Sequence, residues 1–253
     1  MDTNTKKFSA QILPVHLRLG EVITLSAMPK HGATTIALSV AHELEELNPL
    51  YLSTQIPFRE LVELWVEKGH EFPSVIGPKI LGADLDTDSI EDICKDVVNN
   101  YGTRIIIVDN LLGINDFGRD NKYAQEVHPH RITLVMKHLR KIAQENNVIM
   151  FVVVPISVPQ RRRIVPSIED LRYSAGILEN ADITLLASRT GEITSNSDEL
   201  KFEISVGASR SRLYSDIAIS KYNSKTGFID FIRAEKFETK KIDPDIWERK
   251  YCL

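Results

Sequence analysis

Residues 21–38 read EVITLSAMPKHGATTIAL. An apolar run, Val22 to Leu25, leads into a Pro/Gly turn, and Thr34 and Thr35 open a segment with helical patterning. Strand, turn and helix in that order make a phosphate cradle. Loop N–H groups and the helix N-terminus face the anion, a Lys after the last Gly adds charge, and a Thr hydroxyl reaches Mg²⁺. Pro29, Lys30, Gly32, Thr34 and Thr35 supply most of these parts, but the Lys position holds Ala33. A carboxylate that would complete the site ends the run RIIIVD at Asp109. There it would hold Mg²⁺ directly or through water, with Thr34 as the other metal-facing group. Each piece also has a plainer reading. One-Gly turns before helices are common, and a strand-end Asp often caps a turn. Lys30, two residues before Gly32, either swings a charge into the cradle or is a solvated turn Lys, which is the simpler view. His31 reads as a surface turn residue.

The elements that must position these groups alternate along the chain. Strands are expected at 50–53, 104–109, 148–154 and 181–187. The unbroken apolar runs among them suit parallel strands covered on both faces. Helices are expected over 58–68, over 88–99 with Asp88 at the start as cap, and over 131–146. Residues 115–130 read as a polar loop, and QRRR at 160–163 begins a basic one. Residues 201–206, 214–220 and 228–232 read as late strands, the last two joined by NSKTG as a hairpin. Strand–helix units followed by a β-rich end predict an α/β fold with a mainly parallel central sheet and a C-terminal antiparallel extension.

Bulk composition excludes several classes. The 253 residues are 43% apolar and 26% charged with net charge −4, an ordinary globular profile without a large basic surface. The two cysteines, Cys94 and Cys252, have no metal-like spacing, so a reduced, cytoplasmic setting is expected. The first residues hold no apolar core of signal-peptide length, and no run is long enough for a membrane span.

Four segments in order resemble the motor domain of DnaB-type replicative helicases. They are GEVITLSAMPKHGATTIALSVAHEL (20–44), HLRKIAQENNV (138–148), SIEDLRYSAGILENADITLLASR (167–189) and ISKYNSKTGFIDF (219–231). The resemblance spans residues 14–238 and implies a RecA-like P-loop NTPase fold, with an N-terminal arm over 1–13 and a tail over 239–253. It covers none of the family's N-terminal helical domain.

The resemblance makes the departures informative. The family's Walker Lys is Ala33, and its catalytic Glu is Gln55, which cannot take a proton from water at neutral pH. The polar residue after the third strand becomes Leu112, and the Ser-Gln ending the fourth becomes Val154 and Pro155. In the family's Lys-x-Arg pair, which acts on a neighbouring subunit, Lys221 stays while the arginine finger becomes Asn223. An arginine finger is worth roughly 10³ to 10⁵ in rate. One preorganised electrostatic stabiliser is worth on the order of 10² to 10³. These penalties need not add, yet one or two would leave turnover too slow for a motor. Nucleotide binding, through Pro29, Lys30, Gly32, Thr34, Thr35, Asp109 and Lys221, is separable from hydrolysis.

For DNA, the resemblance implies backbone contacts by the segment holding Arg172 and Ser174. Arg161, Arg162 and Arg163 precede it, and Arg210 and Arg212 add charge. Tyr173 offers a ring for base stacking or for packing, and the bland reading of the whole run is a solvated loop. The expected protein is thus a catalytically degenerate, helicase-like accessory or regulatory module. ATP or ADP with Mg²⁺ binds weakly or not at all. Its expected partners are single-stranded DNA, an active replicative helicase or other replication proteins, or further copies of itself, with no membrane. Two alternatives stand beside it. One is an active ATP-dependent DNA helicase with rewired groups, Lys30 and Lys221 supplying the charge. The other is a structural interaction protein that binds neither nucleotide nor DNA.

Overall fold

Strand β5, Ile105–Asp109, is buried along its whole length, and its side chains alternate between two cores. Ile105 and Ile107 join one hydrophobic cluster, Ile106 and Val108 the other. A strand covered on both faces has no need of polar alternation, which explains the continuous apolar run. The computed structural model describes residues 6–54, 56–57, 60–61, 63, 85–114, 129–156, 166–171, 174–190, 200–210, 212–214 and 216–236.

The other strands are β1 (Lys7–Phe8), β2 (Leu17–Arg18), β3 (Val22–Ala27), β4 (Leu50–Ser53), β6 (Ile149–Pro155), β7 (Ile183–Thr190), β8 (Lys201–Ser209), β9 (Asp216–Tyr222) and β10 (Ile229–Lys236). Eight form one sheet, in the order β10-β9-β8-β7-β3-β6-β5-β4. β4, β5, β6, β3 and β7 run parallel, and β8 to β10 continue antiparallel. This is the expected α/β architecture. The short pair β1–β2 lies apart from the sheet.

Helices named here are α1 (Ala33–Glu43), α2 (Thr87–Tyr101), α3 (Pro129–Asn146) and α4 (Ser174–Asn180). Helix α1 packs on one face through Ile36, Ala37, Val40 and Ala41. Helices α2 and α3 cover the opposite face through Ile90, Cys94, Val97, Val135, Leu139 and Ile142, spaced for one helical stripe. Helix α2 is capped by Asp86, whose side chain accepts from the Ser89 N–H at 2.7 Å, and the hydrogen bond holds the Asp86 carboxyl below its ordinary pKa. The expected cap, Asp88, lies inside the helix, because the chain turns helical two residues earlier. Helix α3 likewise begins at Pro129, a residue suited to a first helical position.

The first described residues dock on this body. Phe8, Ala10, Ile12 and Leu13 are buried in the α1-side core, and the Ile12 N–H donates to Glu43 Oε2 at 3.4 Å. The late strands begin and end elsewhere than expected: β8 runs on to Ser209, and β9 and β10 run past Ser220 and Ile232. There the ladder, not an apolar pattern, sets the bounds, since β10 from Phe231 onward is exposed. The helix expected over 58–68, the loop expected over 115–130, the run 160–163, Cys252 and the tail 239–253 fall wholly or mainly outside the described residues.

Candidate functional site

The parallel strands all end on one side of the sheet, and the order brings three of those ends together. Central β6 lies between β3 and β5, with Pro155 opposite Ala27 and Val153 opposite Asp109. The chain leads from β3 toward β4 on one side and from neighbouring β6 toward β7 on the other, which opens a crevice of the kind that takes ligands in doubly wound sheets. A cavity of about 540 Å³ occupies it. Ala27, Met28, Pro29, Lys30, Gly32, Ala33 and Thr34 form one wall, Asp109, Asn110 and Leu112 another, and Val153, Val154 and Pro155 the floor.

The loop is shaped by backbone more than by side chains. The His31 N–H donates to the Met28 carbonyl at 3.0 Å, and Lys30 and Gly32 both sit in the left-handed region, with φ of 66° and 82°. Glycine at 32 is required twice over. A Cβ there would be in a strained conformation and 2.6 Å from the Phe202 ring of β8. Helix α1 then starts at Ala33, and the Ile36 N–H donates to the Gly32 carbonyl at 2.9 Å. Its first-turn N–H groups have no intrahelical partners and carry the positive end of the helix dipole. His31 is not simply a surface residue: its Nδ1 accepts from the Arg189 N–H at 3.2 Å, tying the loop to β7. Burial, with nearby Arg189, lowers its pKa and favours the neutral ring.

Across the cavity, Asp109 is almost wholly buried. Its Oδ2 accepts from Thr34 Oγ1 at 2.7 Å and from the Tyr51 hydroxyl at 2.7 Å. Burial raises the Asp109 pKa, and the two hydroxyl donors offset part of that rise. Tyr51 is fully enclosed, and burial and the neighbouring carboxylate push its pKa well above 10.0, so it stays a donor. Thr54 locks the strand ends: its N–H donates to the Asp109 carbonyl at 2.7 Å and its Oγ1 accepts from the Asn110 N–H at 2.8 Å. Sequence reading missed Tyr51. The available signal was a Tyr inside a buried strand, since its hydroxyl must find a partner.

The structure thus brings Pro29, Lys30, Gly32, Ala33, Thr34 and Asp109 around one cavity, with Leu112 and Pro155. Thr35 is not in its lining; its carbonyl accepts from Ser39 Oγ at 2.7 Å. Lys221 stands exposed on β9, outside that lining. Asn223 turns into its own hairpin. Its Nδ2 donates to Asp230 Oδ2 at 2.9 Å, and its Oδ1 accepts from the Lys225 N–H at 3.0 Å and the Thr226 N–H at 3.3 Å. Gln55, Arg161, Arg162, Arg163, Arg172 and Tyr173 lie outside the described residues, and Ser174 begins α4. Arg210 and Arg212 both find partners within the fold. Arg212 pairs with Glu21 and donates to the His16 carbonyl and the Tyr214 hydroxyl. Arg210 sits 3.8 Å from Asp182 and donates to the Glu179 carbonyl. Arg212 is thereby largely buried, whereas the side chain of Arg210 stays 45% exposed. Among the described residues no three His, Cys, Asp or Glu side chains gather as a metal centre, so metal binding would rest on Thr34 and Asp109. Nor is any described helix long and apolar enough to cross a membrane.

Comparison with known proteins agrees with this geometry. The sequence model of the DnaB-like helicase C terminal domain matches residues 66–230. That match starts after the phosphate loop. A DnaB-like replicative helicase, solved in a study of its interactions with primase, superposes with a TM-score of 0.70 at 16% identity. It covers 85% of this chain, while the chain spans only 59% of that helicase. The ATPase domain of a second solved protein gives 0.66 at 16% identity, covering 85% of each chain. A KaiC-like protein from the hyperthermophilic archaeon Pyrococcus horikoshii gives 0.63 at 14%, covering 88% and 94%. No curated protein matches by sequence. The fold is RecA-like, and the chain belongs to the DnaB-like helicase C terminal domain family.

Proposed function

We propose that this family member is a nucleotide-holding module that hydrolyses ATP poorly or not at all and serves DNA replication as an accessory or regulatory component. The observation that carries the reading is the Thr34–Asp109 pair at 2.7 Å facing a loop whose Lys position is Ala33. The cradle is kept and its charge is gone.

The residues fit a nucleotide's phosphates with Mg²⁺. Loop amides and the α1 N-terminus suit the anion, and Thr34 Oγ1 and the Asp109 carboxylate would hold the metal. Bound Mg²⁺ would supply charge neutralisation between phosphates. What this chain's own groups do is orient. Tyr51 and Thr34 fix one Asp109 oxygen, and Thr54 fixes the backbone beneath it. Besides Asp109, whose Oδ2 is held by Thr34 and Tyr51, no described residue lining the cavity is a carboxylate or histidine that could take a proton from water. Asn223, engaged in its own turn, offers no guanidinium to a neighbouring copy.

Single-stranded DNA, an active helicase and further copies of the chain are the proposed partners, by analogy with the family. Arg161, Arg162, Arg163, Arg172 and Ser174 are the proposed DNA contacts, and Lys221 the proposed contact to a neighbour's nucleotide. The test is a thermal-shift and calorimetric titration with ATP, ADP and Mg²⁺. Metal-dependent binding that disappears in Asp109→Asn is expected, and its absence would move the protein to a purely structural role.

A second reading has one observation in its favour. Lys30 lines the cavity from a left-handed turn position, so its ammonium has the reach to replace the missing Lys. Under that reading the protein is an active ATP-dependent helicase-type ATPase, and Lys30→Ala abolishes nucleotide binding. Under the first it changes little.

A further inference from the structure

We propose that His31 is a positioning residue: its neutral ring latches the phosphate loop onto the overhanging end of β7 and so keeps the loop in the form that binds nucleotide. This rests on the nucleotide reading above and deepens it by naming what holds the loop.

The latch has its reason in the sheet. Strand β3 pairs with β7 from Ile23 opposite Ile183 to Ala27 opposite Ala187, and there β3 ends. β7 runs on through Ser188, Arg189 and Thr190, which pair with β8. On the β3 side of that overhang the ladder has stopped, so its backbone donors need other partners. The His31 ring supplies one. Its Nδ1 accepts from the Arg189 N–H at 3.2 Å, standing in for a carbonyl that a longer β3 would have offered. The next residue, Gly32, has room only for a hydrogen beneath the Phe202 ring, and Phe202 is the β8 partner of Arg189. Two adjacent loop residues therefore rest on one cross-strand pair. Of these two contacts, the one made by His31 depends on protonation.

Only an unprotonated Nδ1 can accept; a ring carrying both protons is a donor alone. It would then turn an N–H and a positive charge toward the Arg189 N–H. Burial and the Arg189 charge lower the ring's pKa from the ordinary 6.5, the direction that this bond requires. Among the described residues, the other charges at hand are Lys30, its neighbour in the loop, and Lys201 and Glu203 of β8. The latter two flank Phe202 in the strand and so point to the opposite face of the sheet. The latched form is thus fully present above 6.5 and is lost as the pH falls through the lower native value. Nucleotide binding follows the same course.

The test has two arms on the full chain. Imidazole nitrogen NMR reads the latch without nucleotide. A neutral ring with its proton on Nε2, titrating below the ordinary histidine value, is expected. A proton on Nδ1, or titration at or above that value, overturns the latch. The second arm is calorimetry with Mg²⁺–ADP from about pH 7.5 to about pH 5.5, bracketing histidine titration. It compares wild type, His31→Asn and His31→Leu, each checked for folding by circular dichroism. Asn keeps an acceptor close to where Nδ1 stands and takes no proton; Leu keeps no acceptor. All three share Asp109 and the ligand, so the titration of those groups cancels. Across the range, wild-type affinity is expected to fall about threefold to tenfold further than that of His31→Asn, the worth of one net hydrogen bond. His31→Leu is expected to bind more weakly than His31→Asn by a similar factor at the neutral end. Coincident wild-type and Asn profiles, or a Leu variant that binds as tightly as the Asn variant, overturn the positioning role and leave the nucleotide reading standing. No binding by the wild type at any pH overturns the nucleotide reading and the positioning role with it, and the NMR arm still judges the latch.

Discussion

Under the proposed function, the loop after β3 and the β9–β10 hairpin each lack a cation that a working helicase would carry there, and the two are built differently. At the loop, φ at Lys30 and Gly32, the Phe202 contact and the Thr34–Asp109 bond set the shape of the turn, and none of them depends on the side chain of Ala33. On the hairpin, the Asn223 side chain is engaged in the turn, its Oδ1 accepting from the Lys225 and Thr226 N–H groups. Where backbone and packing set the geometry, a loop keeps its shape whatever short side chain stands at one position. Where a single side chain would be the site, the residue that stands there takes up local structure.

The loop's independence from position 33 predicts that its backbone is the sensitive part. Gly32→Val should cost about 3 kcal/mol of stability, from left-handed strain and the Phe202 clash together. Chemical denaturation reads this directly, and a neutral result would mean the loop is not held as described. Tyr51→Phe comes next. Deleting a donor to a buried carboxylate should cost about 2 kcal/mol, with Thr34 left as the remaining hydroxyl partner.

Asp109→Asn separates binding from folding. Mg²⁺-dependent nucleotide affinity should fall by about tenfold or more. Stability should move the other way. Burial holds Asp109 above its ordinary 3.8 in the fold, so the native state keeps this proton longer than the unfolded chain. Wild-type stability therefore drops as pH rises from near 3.8 through the native value, and Asp109→Asn, lacking the group, gains on wild type across that window. Denaturation midpoints of both proteins from pH 3 to 7, a range of about four units chosen to bracket the shift, check the sign. Smallest is Asn223→Ala, which should cost about 1 kcal/mol through the lost turn bonds and leave nucleotide binding unchanged. Altered binding there would mean the hairpin still serves the cavity.

Much of the fold was legible because its strands are buried on both faces. Unbroken runs such as 105–109 and 149–154 leave little ambiguity. The exposed end of β10 was not legible, since a ladder partner, not an apolar pattern, keeps it extended. Asp86 rather than Asp88 caps α2, a two-residue shift that local residue type alone does not resolve. At the site, Gly32, Thr34 and Asp109 stand out as residue types with chemistry. Tyr51 and His31 do not, because their roles depend on partners 58 and 158 positions away in the chain. Arg212 misled for the same reason: its partner, Glu21, lies 191 positions away.

The central claim is that this site holds phosphates without processing them. The direct measurement is ATP hydrolysis by the purified chain, with and without single-stranded DNA, against Asp109→Asn as the blank. The account predicts no DNA-stimulated turnover above that blank, from a protein whose melting temperature still rises with Mg²⁺ and nucleotide. Hydrolysis that single-stranded DNA stimulates and Asp109→Asn abolishes would contradict it.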